Sequence, residues 1–144
     1  MIREILKDDL DGLLRLYMQL HNNPMPEKTV ELLQIWDNIF QDKNHHVIVA
    51  EENGEIVSSC VCVIIPNLTR NQQPYAFIEN VITDEKFRKR GLATQCLDYA
   101  KEIAIKENCY KMMLLTGSKK KSTLDFYRKA GYNSDDKTAF IQWI

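Results

Sequence analysis

The chain has few residues that break secondary structure: among 144 positions there are five glycines and four prolines. No repeat, linker or low-complexity segment appears, so nothing divides it, and residues 1–144 are expected to form one domain. Cysteine is sparse too, with four residues at positions 60, 62, 96 and 109. None forms a C-x-x-C pair, which leaves no redox or zinc motif. Cys60 and Cys62 fall on one face of an expected strand and read as small buried hydrophobes. No sign of charge dominates: 19 basic and 20 acidic residues give a net charge of −1. A nucleic-acid binder would carry a dominant basic field, so no such partner is expected. Long apolar runs are missing as well. The longest, Cys60 to Pro66, is too short to span a bilayer, and no membrane partner is expected. Met1 leads straight into a mixed polar and apolar segment, so no secretory signal is expected and the cytoplasm is the expected compartment. Metal-ligand spacing and a Ser-His-Asp arrangement are both lacking. His21, His45 and His46 read as surface or structural residues.

What is present alternates between two periodicities. Met1 to Leu6 reads as a strand. Asp8 or Asp9 could cap a helix carried by Leu10, Leu13, Leu14, Tyr17 and Leu20. A second helix is expected from about Pro26 to Phe40, its stripe being Val30, Leu33, Trp36 and Phe40. His46 to Glu51 and Glu55 to Ile65 read as a hairpin joined by Asn53-Gly54, a type I′ turn signal. After a polar loop, Tyr75 to Thr83 reads as a long strand, and a helix begins at Gly91. Lys111 to Thr116 is a short strand, a helix runs from about Lys120 to Ala130, and Thr138 to Ile144 is expected to close the chain as a strand. The order β-α-α-β-β-β-α-β-α-β predicts an α/β fold: a mixed, largely antiparallel sheet flanked by helices.

The informative stretch is Arg88-Lys89-Arg90-Gly91-Leu92-Ala93, of the form R-x-x-G-x-A, between the long strand and a helix. A helix N-terminus approached through glycine exposes unpaired backbone N–H groups and a positive dipole end, which suits a pyrophosphate. Gly91 removes a Cβ from the line of approach and Ala93 keeps the first turn slim. Taken alone, a basic turn before a helix is equally a solvated surface.

Here the chain resembles the GNAT acetyltransferases, whose acetyl-CoA motif is R/Q-x-x-G-x-G/A at this place in the fold. Downstream, Phe126-Tyr127-Arg128-Lys129-Ala130-Gly131-Tyr132 is similar to the family's F-Y-x-K-x-G-F segment. The resemblance covers Tyr75 to Tyr132 and implies the acyl-CoA N-acyltransferase fold and acetyl-CoA as co-substrate, without a metal. It implies that Val81, Ile82 and Thr83 run beside the pantetheine arm, with the backbone of Val81 and Thr83 pairing to it as an added strand would. It also implies that the amides of Arg88, Lys89, Arg90, Gly91, Leu92, Ala93 and Thr94 hold the pyrophosphate. Tyr127 matches the family tyrosine that protonates the departing thiolate, the alternative being a core tyrosine beside Leu124. Lys120 and Thr123 stand where many members carry Asn and Ala. The Lys119–Lys121 run could therefore meet a phosphate or simply be solvated.

An amine attacks a thioester only when neutral. With an amine pKa near ~10, three units of mismatch at pH 7 cost about 4 kcal/mol, so a base is useful. Glu79, an acid inside an apolar strand, is the candidate. Plain alternation puts it on one face with Phe77 and Val81. It is either that base, acting directly or through water, or a paired structural carboxylate. A bulge near Asn80 would free a backbone N–H, that of Val81, for the oxyanion. Direct attack in a ternary complex is expected, by a primary amine of a small molecule. A protein N-terminus or lysine, and a CoA-binding sensor without turnover, are the alternatives. A nucleotide-phosphate binder is more remote, for want of a P-loop pattern. Relatives often dimerise, and the closing strand, Phe140 to Ile144, offers one place for a homodimer.

Overall fold

A computed structural model describes all 144 residues. Its centre is a five-stranded sheet in the order β1-β2-β3-β4-β5. Strands β1 (Ile2–Glu4), β2 (His45–Glu52), β3 (Glu55–Ile65) and β4 (Tyr75–Thr83) pair antiparallel in chain order, and β5 (Met112–Leu114) joins β4 in parallel. Helices α1 (Leu10–Tyr17) and α2 (Val30–Gln41) pack on one face of the sheet and α3 (Leu92–Lys106) on the other, while α4 (Lys121–Lys129) follows β5. The mixed, largely antiparallel sheet with helices on both faces is the class the sequence predicts.

Period-two alternation separates two cores. Ile48, Cys60, Cys62 and Ile78 point toward α3 and meet Cys96, Leu97, Ala100 and Ala104. The small residues on that helix stripe let it lie close to the sheet. Val47, Val49 and Val61 point the other way, against Leu13 and Trp36. Full burial of an isoleucine such as Ile48 or Ile78 is worth roughly 1.5–3 kcal/mol. The hairpin turn between β2 and β3 places Asn53 and Gly54 at φ 52° and 80°, as a type I′ turn requires.

Three expectations need correction. Helix α1 stops at Tyr17, short of Leu20, because the Leu20 amide turns back to the Tyr17 carbonyl (2.9 Å) and His21 and Asn22 take positive φ. Helix α2 begins at Val30 and not near Pro26, since the Thr29 hydroxyl accepts from the Leu32 amide at 3.1 Å and fixes the start. Residues 138–144 form no strand. The Asn133 side chain accepts from the amides of Asp135 and Asp136 (3.1 and 3.0 Å) and turns the chain. Beyond that turn, Phe140 and Trp143 are 91% and 86% exposed. A β-prone segment becomes a strand only where a ladder partner meets it, and this one meets none.

Candidate active site

Strand β4 has nine residues and β5 has three. The two pair only at Ala76–Met112, Phe77–Met113 and Ile78–Leu114. From Glu79 onward, the edge of β4 that faces β5 has no strand beside it. The sheet edge is therefore open along Asn80 to Ile82, up to Thr83, whose carbonyl is taken by Arg88.

A bulge marks the start of this open edge. Glu79 lies opposite Val61 and Ile82 opposite Ser59, so Asn80 and Val81 together face Cys60. Asn80 is the extra residue, at φ 51°, a conformation asparagine tolerates better than most side chains. The bulge shifts the alternation by one place. Glu79 shares its face with Phe77, on the side of α1 and α2, whereas Val81 packs on the α3 side. The even alternation that would join Glu79 with Val81 is thus interrupted, because an inserted residue reverses every later side chain. Glu79 and Asn80 are exposed.

The strand leads into a turn built from its own side chains. Asp84 Oδ1 accepts from the Lys86 amide (2.9 Å) and caps a short 3-10 turn, Glu85–Phe87. Arg88 Nε donates to the Thr83 carbonyl at 3.1 Å. Arg90 pairs with Glu52 at 2.9 Å and lies over the Phe87 ring. Two of the three basic residues therefore brace the turn, and Lys89, at φ 62°, is exposed. Gly91 takes φ 76° and precedes α3 with no side-chain cap on the helix and no acidic residue in its first turn. A Cβ at Gly91 would have only the Gln95 side chain nearby, at 3.9 Å, so glycine is required there by backbone conformation rather than by crowding. Leu92 buries its side chain, while Ala93 and Thr94 are half-buried. The backbone at this helix end has the free N–H groups and dipole that suit an anion.

Tyr127, on α4, is half-buried and packs against the α3-side core, edge-on to Phe126 and Tyr132. Burial pushes its phenol above the usual value. The phenol stays protonated at neutral pH. All four cysteines are free thiols. Burial pushes Cys60 up strongly and Cys62 up to about 12, which makes them poor nucleophiles. Thr123 accepts from the Ser118 hydroxyl at 3.1 Å, and Ser118 in turn accepts from the Lys120 amide. These residues organise the start of α4. Lys121 is paired with Asp125. Trp36 is buried and donates to the Lys7 carbonyl at 3.2 Å, so it is a core residue.

Sequence reasoning passed over Ser59, Gln19 and Asp84. Ser59 is fully buried and its hydroxyl has no partner. Tyr17 lies beside it, its phenol pushed up to about 12 by burial, an effect moderated by the neighbouring Ser59 and Asn80 side chains. The available signal for Ser59 was a pair of serines inside an otherwise apolar strand. No group of three or more His, Cys, Asp or Glu residues is placed to hold a metal, and no helix is long and apolar enough to cross a membrane.

A split sheet, a bulge and a glycine-led helix end follow one another along a single strand. The family model described as "Acetyltransferase (GNAT) family" matches residues 10–132. The chain belongs to that family. The solved structure of a putative acetyltransferase from Agrobacterium tumefaciens superposes with a TM-score of 0.89 at 37% identity, over 99% of both chains. A glucosamine 6-phosphate N-acetyltransferase from Trypanosoma brucei brucei is 29% identical, over 94% of this chain and 90% of that protein. An uncharacterized N-acetyltransferase from Methanocaldococcus jannaschii is 27% identical, over 99% of this chain but only 64% of its own length.

Proposed function

We propose that this chain, acting as one domain, transfers an acetyl group from acetyl-CoA to a primary amine of a small molecule, by direct attack in a ternary complex. The carrying observation is that β4 leaves β5 after Ile78 and ends in the uncapped, glycine-led start of α3. In this reading, the strand edge at Val81 and Thr83 pairs with the pantetheine arm, alongside Ile82, as a strand would, the arm replacing the Arg88 guanidinium at the Thr83 carbonyl. The amides of Arg88 to Thr94 receive the pyrophosphate, with Arg88 and Arg90 holding the turn in shape. The residues fit such a ligand: the strand edge is unpaired, the first turn of α3 bears no acid, and Ala93 leaves room.

Glu79 faces the side of α1 and α2, so the acceptor amine belongs on that face. The carboxylate takes the amine proton directly or through water, a contribution of roughly 10²- to 10⁴-fold. The nitrogen lone pair then forms the C–N bond at the thioester carbonyl. The Val81 N–H, beside the bulge, steadies the oxygen as it gains negative charge. When the C–S bond breaks, Tyr127 gives its proton to the sulfur, whose thiol pKa is near ~8.5, and the second proton of the amine nitrogen leaves to restore the phenol, directly or through water. A small-molecule acceptor is supported by the trypanosomal relative, which is named for an amino-sugar phosphate. The exposed apolar residues Phe140 and Trp143 support a homodimer that covers them, which sedimentation tests directly.

The test is calorimetric CoA binding together with free-thiol release over a panel of amines, amino sugars, polyamines and peptides. Turnover with a small amine supports the reading, and turnover with peptides alone reassigns the acceptor. Absence of CoA binding overturns it.

A further inference from the structure

A cavity of about 410 Å³ lies where α1 faces the start of β3 and the turn after β4. Arg15, Met18 and Gln19 line it from the helix side, and Glu55, Ile56 and Asp84 from the sheet side. Its volume is in the range of small-molecule sites. None of these residues belongs to the acetyl-transfer machinery proposed above. The floor is closely packed: Gly12 of α1 also lines the cavity, and a Cβ there would stand 3.1 Å from the Ile56 side chain. The charges around it are what single it out. Arg15 and Glu55 are exposed, of opposite sign, and neither belongs to any of the ion pairs of the chain. Asp84 is committed already, since its carboxylate accepts from the Gln19 carboxamide at 2.7 Å and from the Lys86 amide at 2.9 Å. The cavity therefore offers one free cation and one free anion, with apolar surface from Met18, 40% exposed, and from the half-buried Ile56.

We propose that this cavity binds a free α-amino acid with an apolar side chain. The ligand carboxylate sits on the Arg15 guanidinium, whose planar fork matches two oxygens. The ligand ammonium pairs with Glu55, and its side chain lies against Met18 and Ile56. Ligands of a single charge suit the cavity less well. A simple anion meets the carboxylates of Glu55 and Asp84, and a polyamine meets the like charge of Arg15. A zwitterion satisfies both free charges at once. Because both are exposed to solvent, the affinity is expected to be modest.

The test compares leucine, leucinamide and N-acetyl-leucine on the full chain in the presence of CoA, by saturation-transfer NMR. Leucinamide lacks the carboxylate and N-acetyl-leucine lacks the ammonium. Each is expected to bind about tenfold more weakly than leucine, the order of one charge-assisted hydrogen bond. Arg15→Met should bring the margin over leucinamide to near one, and Glu55→Gln the margin over N-acetyl-leucine. Both side chains are exposed, so the fold should survive either change, and a thermal melt verifies this. No leucine binding, equal affinity for the three compounds, or margins that outlast both substitutions overturn the site. Leucine binding that is lost in Glu79→Gln but kept in Arg15→Met and Glu55→Gln also overturns it, by placing the amino acid at the acceptor position. Calorimetry with CoA keeps the two proposals apart. Intact CoA binding without leucine binding fails the cavity site alone, and leucine binding without CoA binding fails only the acetyl-transfer reading.

Discussion

Gln19 and Asp84 lie 65 residues apart in the chain and share a hydrogen bond of 2.7 Å. The same Gln19 carboxamide accepts from the Glu85 amide at 3.0 Å. The turn after α1 is thereby fastened to the turn that precedes the glycine-led helix end. Gln19→Leu should weaken CoA binding several-fold, up to about tenfold, with little change in melting temperature because the contact is exposed. Calorimetry beside a thermal melt checks this, and unchanged CoA affinity would remove Gln19 from the site.

Tyr127→Phe keeps the edge-on ring packing and deletes the proton donor. The rate of acetyl transfer should fall roughly 10²-fold, while the dissociation constant for CoA stays within a factor of two or so. Equal rates in the two proteins would strip Tyr127 of its role as the acid.

Glu79→Gln should slow transfer at neutral pH, and the deficit should shrink as pH rises toward the amine's own pKa. A base is redundant once the free amine predominates. A deficit constant from pH 7 to 10 would mean that Glu79 positions the acceptor and does not remove its proton.

The adjacent serines of β3 should respond in opposite directions. Ser58→Ala breaks two hydrogen bonds and should cost about 1–2 kcal/mol. Ser59→Ala replaces an unpartnered hydroxyl by an apolar group and should be neutral or stabilising by about 1 kcal/mol. Urea midpoints of the two variants settle the comparison.

Arg3 joins Asp9 at 2.6 Å and Glu51 at 2.7 Å, tying the first strand to the α1 entry and to the end of β2. The hydrogen bond from Arg3 holds the Asp9 carboxyl below its ordinary 3.8, against the opposing effect of burial. A depressed carboxyl stabilises fully above its unfolded value and loses that contribution as pH falls through its folded one. Stability should therefore decline below about pH 4 in the native chain. In Arg3→Met the decline should be shallower, after a loss of about 1–2 kcal/mol at pH 7. Denaturant titrations from pH 2 to 7 measure both.

Features governed by local chemistry were legible in the sequence. Asn53-Gly54 announces its own turn, because that conformation is set by the residues that adopt it, whereas the left-handed conformation of Gly91 emerges only in the structure. Tyr127 and the stretch Arg88 to Thr94 are read from motif; in the fold Arg88 to Thr94 follow the end of β4, and Tyr127 packs on the α3-side core. The bulge at Asn80 could only be suspected, since a ladder insertion depends on the partner strand. Its effect on Val81 was consequently misjudged. The tail from Thr138 to Ile144 has the composition of a strand, yet pairing is a property of two segments and one of them is missing. Ser59 could not be distinguished from Ser58 in sequence, because the difference lies in which helix each one faces.

The separation of β4 from β5 leaves an unfinished sheet edge in the middle of the molecule, a feature proteins usually blunt or cover to avoid unwanted association. In the proposed binding mode, the cosubstrate acts as that missing strand and so becomes a folding partner as well as a reagent. By mass action, the fraction of chains with a sealed edge then follows the supply of CoA. The starved protein would be the one most open to proteases and to self-association, so that its persistence, as well as its turnover, would follow the metabolic state around it.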